Sequence, residues 1–69
     1  MTLEDYRIEC TWSKNEMARQ AGMDLNTLNR AISGKNISIN TAGKLARTIS
    51  KKLGRTVTFQ QIEGLNVNL

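Results

Sequence analysis

Five polar side chains between positions 25 and 33 are the residues of this sequence best suited to contact a ligand. They are Asn26, Thr27, Asn29, Arg30 and Ser33. Amide, hydroxyl and guanidinium groups can hydrogen-bond the edges of nucleic-acid bases, and none of them repels phosphate. A helix face that is merely solvated would more often alternate Glu and Lys. Two interpretations stay open: a nucleic-acid-binding surface, and an ordinary polar surface of a small helical domain.

The segment that must position these side chains is predicted to be two short helices joined by a tight turn. Ser13 is a good N-cap for the first helix, and Glu16 three residues later completes a capping box. Gly22 ends that helix, since glycine adopts a positive φ without strain. Asp24 caps the second helix and Gly34 ends it. A connection of this length is typical of a helix-turn-helix motif.

Charge is distributed unevenly along the 69 residues, whose net charge is +4. Residues 1–9 contain three acids and one arginine, which gives −2. Residues 10–55 contain nine basic residues and two acids, which gives +7, and residues 56–69 contain a single glutamate, which gives −1. The positive charge lies in and just after the two-helix segment, where a polyanion would have to bind.

Composition excludes several kinds of chemistry. The chain has no histidine, and Cys10 is its only cysteine, so we expect no catalytic residues, no metal and no cofactor. No apolar run approaches the roughly 20 residues of a membrane span, and the acidic start does not suit a secretory signal. We expect one small, thin-cored domain in the cytoplasm, with no membrane contact.

Two further helices are predicted from caps and apolar spacing. The first follows Thr2, which forms a capping box with Asp5. Its apolar stripe is Leu3, Tyr6 and Cys10. The other runs from about Ile39 to Leu53, is capped by Ser38 and ends at Gly54. Its stripe is Ala42, Leu45, Ala46, Ile49 and Leu53.

The last part of the chain permits more than one structure. Thr58 and Gln61 predict a short fifth helix from about Phe59 to Glu63, and the competing interpretation is a strand through Val57 and Phe59. Residues 65–69, LNVNL, alternate apolar and polar side chains as a half-buried strand does. Such a tail either pairs with the same strand of a second chain and forms a homodimer, or it frays.

Residues 3–62 resemble the lambda-repressor/Cro-type (Xre-type) helix-turn-helix family. The resemblance rests on S-x-x-E-M-A in the first motif helix, A-G-M-D at the turn, and then T-L-N-R and S-G-K. It implies an all-α, compact five-helix DNA-binding domain over residues 1–64, with the motif at about 13–35. Residues 65–69 would then be a short C-terminal extended tail.

In that family the third helix lies in the major groove of double-stranded DNA. Carried over by position, the residues facing the bases are Leu25, Asn26, Thr27 and Arg30, with Asn29 beside a base or a phosphate. The backbone contacts are Lys14, Lys35 and Asn36. Among these residue types, Asn can hydrogen-bond an adenine edge and Arg can hydrogen-bond a guanine edge. Leu can pack on a thymine methyl group.

One departure from the family pattern concerns the core. Ile32 stands where many members carry a glutamate that pairs with an arginine of the first helix, here Arg7. That buried pair cannot form in this chain. An apolar contact can be equally stable, because replacing such a pair with packed side chains is often neutral or better.

The resulting expectation is a transcriptional regulator of phage or mobile-element type, with no enzymatic activity. A domain this small buries little DNA surface, so a homodimer spanning two half-sites is favoured. The alternative is a protein-interaction module of the same fold, an antirepressor or antitoxin that binds a partner protein. The exposed acids of the first helix and the apolar tail motivate that alternative.

Overall fold

The computed structural model describes residues 1–69 and is mostly helical. Its elements in chain order are α1 (Leu3–Glu9), α2 (Lys14–Ala21), α3 (Leu25–Ile32), β1 (Asn36–Ser38), α4 (Ile39–Leu53), a 3₁₀ turn (Phe59–Gln61) and β2 (Asn66–Asn68). Four of the five predicted helices are present. The prediction of an all-α domain misses a small parallel sheet formed by the two strands.

The predicted helix starts agree with the structure, with one difference in detail. Thr2 Oγ1 accepts from the Asp5 amide at 3.1 Å, and Asp5 Oδ2 accepts from the Thr2 amide at 2.9 Å, which completes the capping box. Ser13 Oγ accepts from the Glu16 amide at 3.1 Å. The Glu16 carboxylate, however, accepts from Arg19 and Gln20, so only half of the second predicted box forms.

One apolar cluster holds the helices together. Its largest fully buried side chains are Met17, Leu28, Leu45, Ile49 and Cys10. No polar or charged residue is buried with them. The predicted stripes of α1 and α4 therefore face this core, except that Leu53 is only half-buried.

Two glycines end the motif helices as predicted. At the end of α2, Gly22 has φ +70°, its amide donates to Arg19 O at 3.2 Å, and the Met23 amide donates to Ala18 O at 3.0 Å. This is a Schellman motif, and it reverses the chain so that α3 packs on α2. Gly34, with φ +79°, ends α3 in the same way.

The fifth helix is a single 3₁₀ turn, and the competing strand through Val57 and Phe59 is also wrong. Gln61 Oε1 does accept from the Thr58 amide at 3.1 Å, as the predicted cap requires. Ile62 then leaves the helical region, at φ −88° and ψ 107°, and its side chain is only 3% exposed. Burial of Ile62 therefore overrides continuation of the helix.

Within residues 65–69 a strand forms over Asn66–Asn68, as the alternation predicts, but its partner lies in the same chain. β2 pairs in parallel with β1, in the register Asn36–Asn66, Ile37–Val67 and Ser38–Asn68. The tail is therefore not frayed, and its partner is the strand that directly follows the helix-turn-helix segment. Because α4 separates the two strands along the chain, no local pattern reveals their pairing.

Candidate nucleic-acid interface

The exposed side of α3 carries a group of polar side chains at helical spacing. Asn26, Asn29, Arg30 and Ser33 follow one another at i, i+3, i+4 and i+7, so they share one face of the helix. Together with Lys35 they line an open concavity of about 300 Å³. No acidic or hydrophobic residue lines it. Leu28 and Ala31, on the other side of α3, are buried in the core.

Arg30 links this face to the strand that follows. Its Nη2 donates to the main-chain oxygen of Asn36 at 3.0 Å. The bond holds the guanidinium at the C-terminal end of α3 and brings Asn36 next to the concavity. A guanidinium has five N–H groups, so most of its donors stay available to a ligand.

Besides Asn36, three predicted site residues lie outside the concavity. Leu25 begins α3 and is 38% exposed. Thr27 is half-buried, and its amide donates to Asp24 Oδ1 at 2.8 Å. Lys14 is exposed in the first turn of α2. The structure thus joins Asn26, Asn29, Arg30, Lys35 and Asn36 into one surface and leaves these three around it.

Two acids belong to the motif, and both are engaged locally. Hydrogen bonds from the side chain and amide of Thr27 lower the pKa of Asp24 below its ordinary value. Hydrogen bonds from Gln20, and then from Arg19, lower the pKa of Glu16. The Asp24 charge lies at the N-terminus of α3, where the helix dipole offsets it in part. Neither carboxylate lines the concavity.

Arg7, which lacks the glutamate partner that other family members supply, bonds within its own neighbourhood. Its Nε and Nη2 donate to the Glu4 carboxylate at 2.6 and 3.1 Å, and its Nη1 donates to Trp12 O at 2.8 Å. The hydrogen bond from Arg7 lowers the pKa of Glu4. Ile32 packs half-buried against the core instead of pairing with a charge. Arg7 thereby anchors the connection between α1 and α2.

A second concavity, of about 670 Å³, is larger but a weaker candidate for an anion. Its lining is Gln20, Arg47, Thr48, Ser50, Lys51, Gly54, Arg55 and Thr56. Arg55 is already paired with Glu9, at 3.0 and 3.3 Å. The concavity also lies at the C-terminal end of α4, where the helix dipole disfavours negative charge.

The features that motivated a partner-protein interpretation have roles inside the domain. Glu4 pairs with Arg7, Glu9 with Arg55, and Asp5 caps α1. Of the three apolar residues of the tail, Leu65 and Val67 pack against the core, and Leu69 is exposed. The acids and these two apolar residues are therefore engaged within the domain, which weakens the reasons for the partner-protein interpretation.

Sequence reasoning did not assign three polar residues that border this surface. Ser33 was recognised as polar but given no role, although its position at i+7 from Asn26 places it on the same face. Asn66 and Asn68 were read only as the polar half of a strand pattern. Asn66 lies beside Asn36 and Asn68 beside Ser38 because β1 and β2 pair in parallel, which no local signal predicts.

Comparison with known families agrees with this geometry. The sequence model of the helix-turn-helix family of the Xre/lambda-repressor type matches residues 3–57, so the chain belongs to that family. The match spans α1 to α4. It indicates a DNA-binding regulator. Searches of curated proteins and of solved structures found no significant match.

None of the helices combines the length and the apolar character that crossing a bilayer requires.

Proposed function

We propose that the chain is a transcriptional regulator of phage or mobile-element type that binds double-stranded DNA sequence-specifically, with α3 in the major groove. The observation that carries the proposal is the acid-free concavity on the exposed face of the second motif helix. It joins Asn26, Asn29, Arg30, Ser33 and Lys35. Amide and guanidinium groups in that arrangement match the donors and acceptors of base edges.

Sequence readout divides among the residues of α3. The side chain of Asn26 bonds an adenine edge through its NH₂ group and its carbonyl oxygen. Arg30 bonds a guanine edge through two of its free N–H groups. Leu25, 38% exposed, packs on a thymine methyl, while Asn29 and Thr27 contact adjacent base or backbone atoms. Each bidentate pair discriminates against a wrong base by about 1–3 kcal/mol.

Phosphate contacts position the helix without reading sequence. Lys14 precedes the motif turn and Lys35 and Asn36 follow α3, so these residues lie at both ends of the two-helix unit. Each phosphate that a lysine neutralises steepens the decrease of log K with log salt concentration by about 0.9. The two lysines therefore contribute affinity that high salt removes.

We also propose that the chain binds DNA as a homodimer. The sheet has only two strands, so the edge of β2 that faces away from β1 is open to another strand. We propose that two β2 strands pair across a two-fold axis, which gives one molecule with two α3 helices. Half-sites one helical turn apart, about 34 Å, would then be read together.

The test is binding to random-sequence duplex DNA over a range of salt concentrations, with the mass in solution recorded. We expect salt-dependent binding by a dimer, and Lys35→Ala should make the log–log slope shallower by about 0.9 for each protomer bound. Lys51→Ala, which removes the same charge from the far end of α4, is the control and should leave the slope almost unchanged. Absence of binding at low salt, or equal effects of the two variants, would contradict the proposal.

A further inference from the structure

The outer face of the β1–β2 sheet carries only uncharged polar side chains. Asn36, Ser38, Asn66 and Asn68 are exposed, whereas Ile37 is buried and Val67 half-buried. Asparagine is depleted in strands, where β-branched and aromatic residues are favoured. Three asparagines at four outer positions therefore oppose local propensity. Such conflicts are expected at functional surfaces.

The amide groups of these asparagines have no partner inside the chain. Arg30 donates a hydrogen bond to Asn36, but the acceptor is the main-chain oxygen of Asn36 and not its side chain. Asn66 lies beside Asn36 in the parallel register, and Asn68 beside Ser38. The face therefore presents a row of free amide donors and acceptors to the outside.

This face adjoins the end of α3. A Cβ atom built on Gly34, the residue that ends α3, would lie 3.6 Å from the main-chain oxygen of Gly64. The segment entering β2 thus runs directly beside the segment leaving α3. Lys35, in the lining of the concavity, immediately precedes Asn36. The concavity and the sheet face form one continuous surface.

We propose that the outer face of the sheet extends the DNA interface, with the amides of Asn66 and Asn68 donating to backbone phosphates beside the groove that α3 occupies. The inference rests on the proposed function. It assigns a role to residues beyond 57, where the family match ends. Uncharged amides suit phosphate contact because they donate hydrogen bonds without a desolvated charge, and no acid stands among them to repel the duplex.

Two double variants test this inference in the full chain, with random-sequence duplex DNA as the probe. Asn66→Ala with Asn68→Ala should lower affinity by about tenfold and leave the salt slope unchanged, because no charge is removed. Asn66→Lys with Asn68→Lys should tighten binding at low salt and steepen the slope by about 0.9 for each new phosphate contact. Val67, which packs against the core, is retained in both, and thermal unfolding checks the fold.

The control is Gln60→Lys, which adds a positive charge at an exposed position of the 3₁₀ turn. We expect the slope of this variant to stay close to that of the wild type. If the wild type binds but the two lysines steepen the slope no more than Gln60→Lys does, the sheet face lies away from the duplex and only this inference fails. If the wild type itself does not bind, the inference fails together with the proposed function.

Discussion

The guanidinium of Arg7 shows how one residue adapts to a missing partner. It bridges the Glu4 carboxylate within α1 and the Trp12 carbonyl in the connection to α2. Its side chain is only 19% exposed, so these bonds are shielded from water in part. Ile32 packs half-buried against the core. The departure seen in the sequence is therefore accommodated by local bonds and apolar packing.

Replacement of Arg7 tests whether its bonds to Glu4 and to the Trp12 carbonyl stabilise the fold. Arg7→Met keeps the apolar part of the side chain but leaves Glu4 and the Trp12 carbonyl without their donor. We expect a loss of about 1–3 kcal/mol in the free energy of unfolding, measured by urea denaturation. Arg19→Met, which breaks the exposed pair with Glu16, should cost at most about 0.5 kcal/mol. Equal losses in the two variants would show that the Trp12 carbonyl bond contributes nothing.

The site residues were predictable from sequence to the extent that helical spacing determines them. Asn26, Asn29 and Arg30 fall on one face of any helix that Asp24 starts, and the structure places them around one concavity. The bond from Arg30 to the Asn36 carbonyl was not predictable. It depends on the path of the chain after Gly34, and that path is set by pairing with a distant strand.

Sequence signals predicted the helix starts, because a helix start is determined by hydrogen bonds between residues close together in the chain. The N-caps at Thr2, Ser13, Asp24 and Ser38 hold because each bond joins residues three apart. The 3₁₀ turn and the sheet were missed for the opposite reason. Ile62 is buried in the core, and β2 pairs with β1, from which α4 separates it along the chain. The end of the 3₁₀ turn and the sheet therefore both depend on tertiary contacts.

Replacement of glycine by alanine should change the free energy of unfolding in opposite directions at two positions. Gly34 has φ +79°, so Gly34→Ala should lose about 1–2 kcal/mol in the free energy of unfolding. Gly43 lies inside α4 with open space around its missing Cβ, so Gly43→Ala should gain about 0.5–1 kcal/mol. Urea denaturation of both variants measures the difference. A stabilising Gly34→Ala would contradict the assigned end of α3.

For the whole molecule, the acids determine how stability depends on pH. Hydrogen bonds lower the pKa values of Glu4, Asp5, Glu16 and Asp24 in the folded state. A depressed pKa stabilises the fold above the ordinary carboxyl value of about 4, and the contribution is lost as pH falls through the folded value. No histidine is present to titrate near neutrality.

We therefore expect the free energy of unfolding to be constant between about pH 6 and pH 8 and to fall below about pH 4. Urea denaturation across this range measures it. Asp24→Asn keeps a good N-cap but cannot titrate, so its stability should fall less steeply in acid than that of the wild type. A marked change between pH 6 and pH 8 would contradict the account.

If the exposed face of α3 reads base sequence, Arg30 determines part of the sequence that the protein prefers. The most direct measurement is selection of binding sites from a randomised duplex pool by the wild type and by Arg30→Lys, with Arg47→Lys as the control. We expect the wild type and Arg47→Lys to enrich the same motif. Arg30→Lys keeps the charge but loses the two-pronged contact, so its preference at one guanine should weaken by about tenfold or more. An unchanged motif with Arg30→Lys, or no enriched motif with the wild type, would contradict this readout.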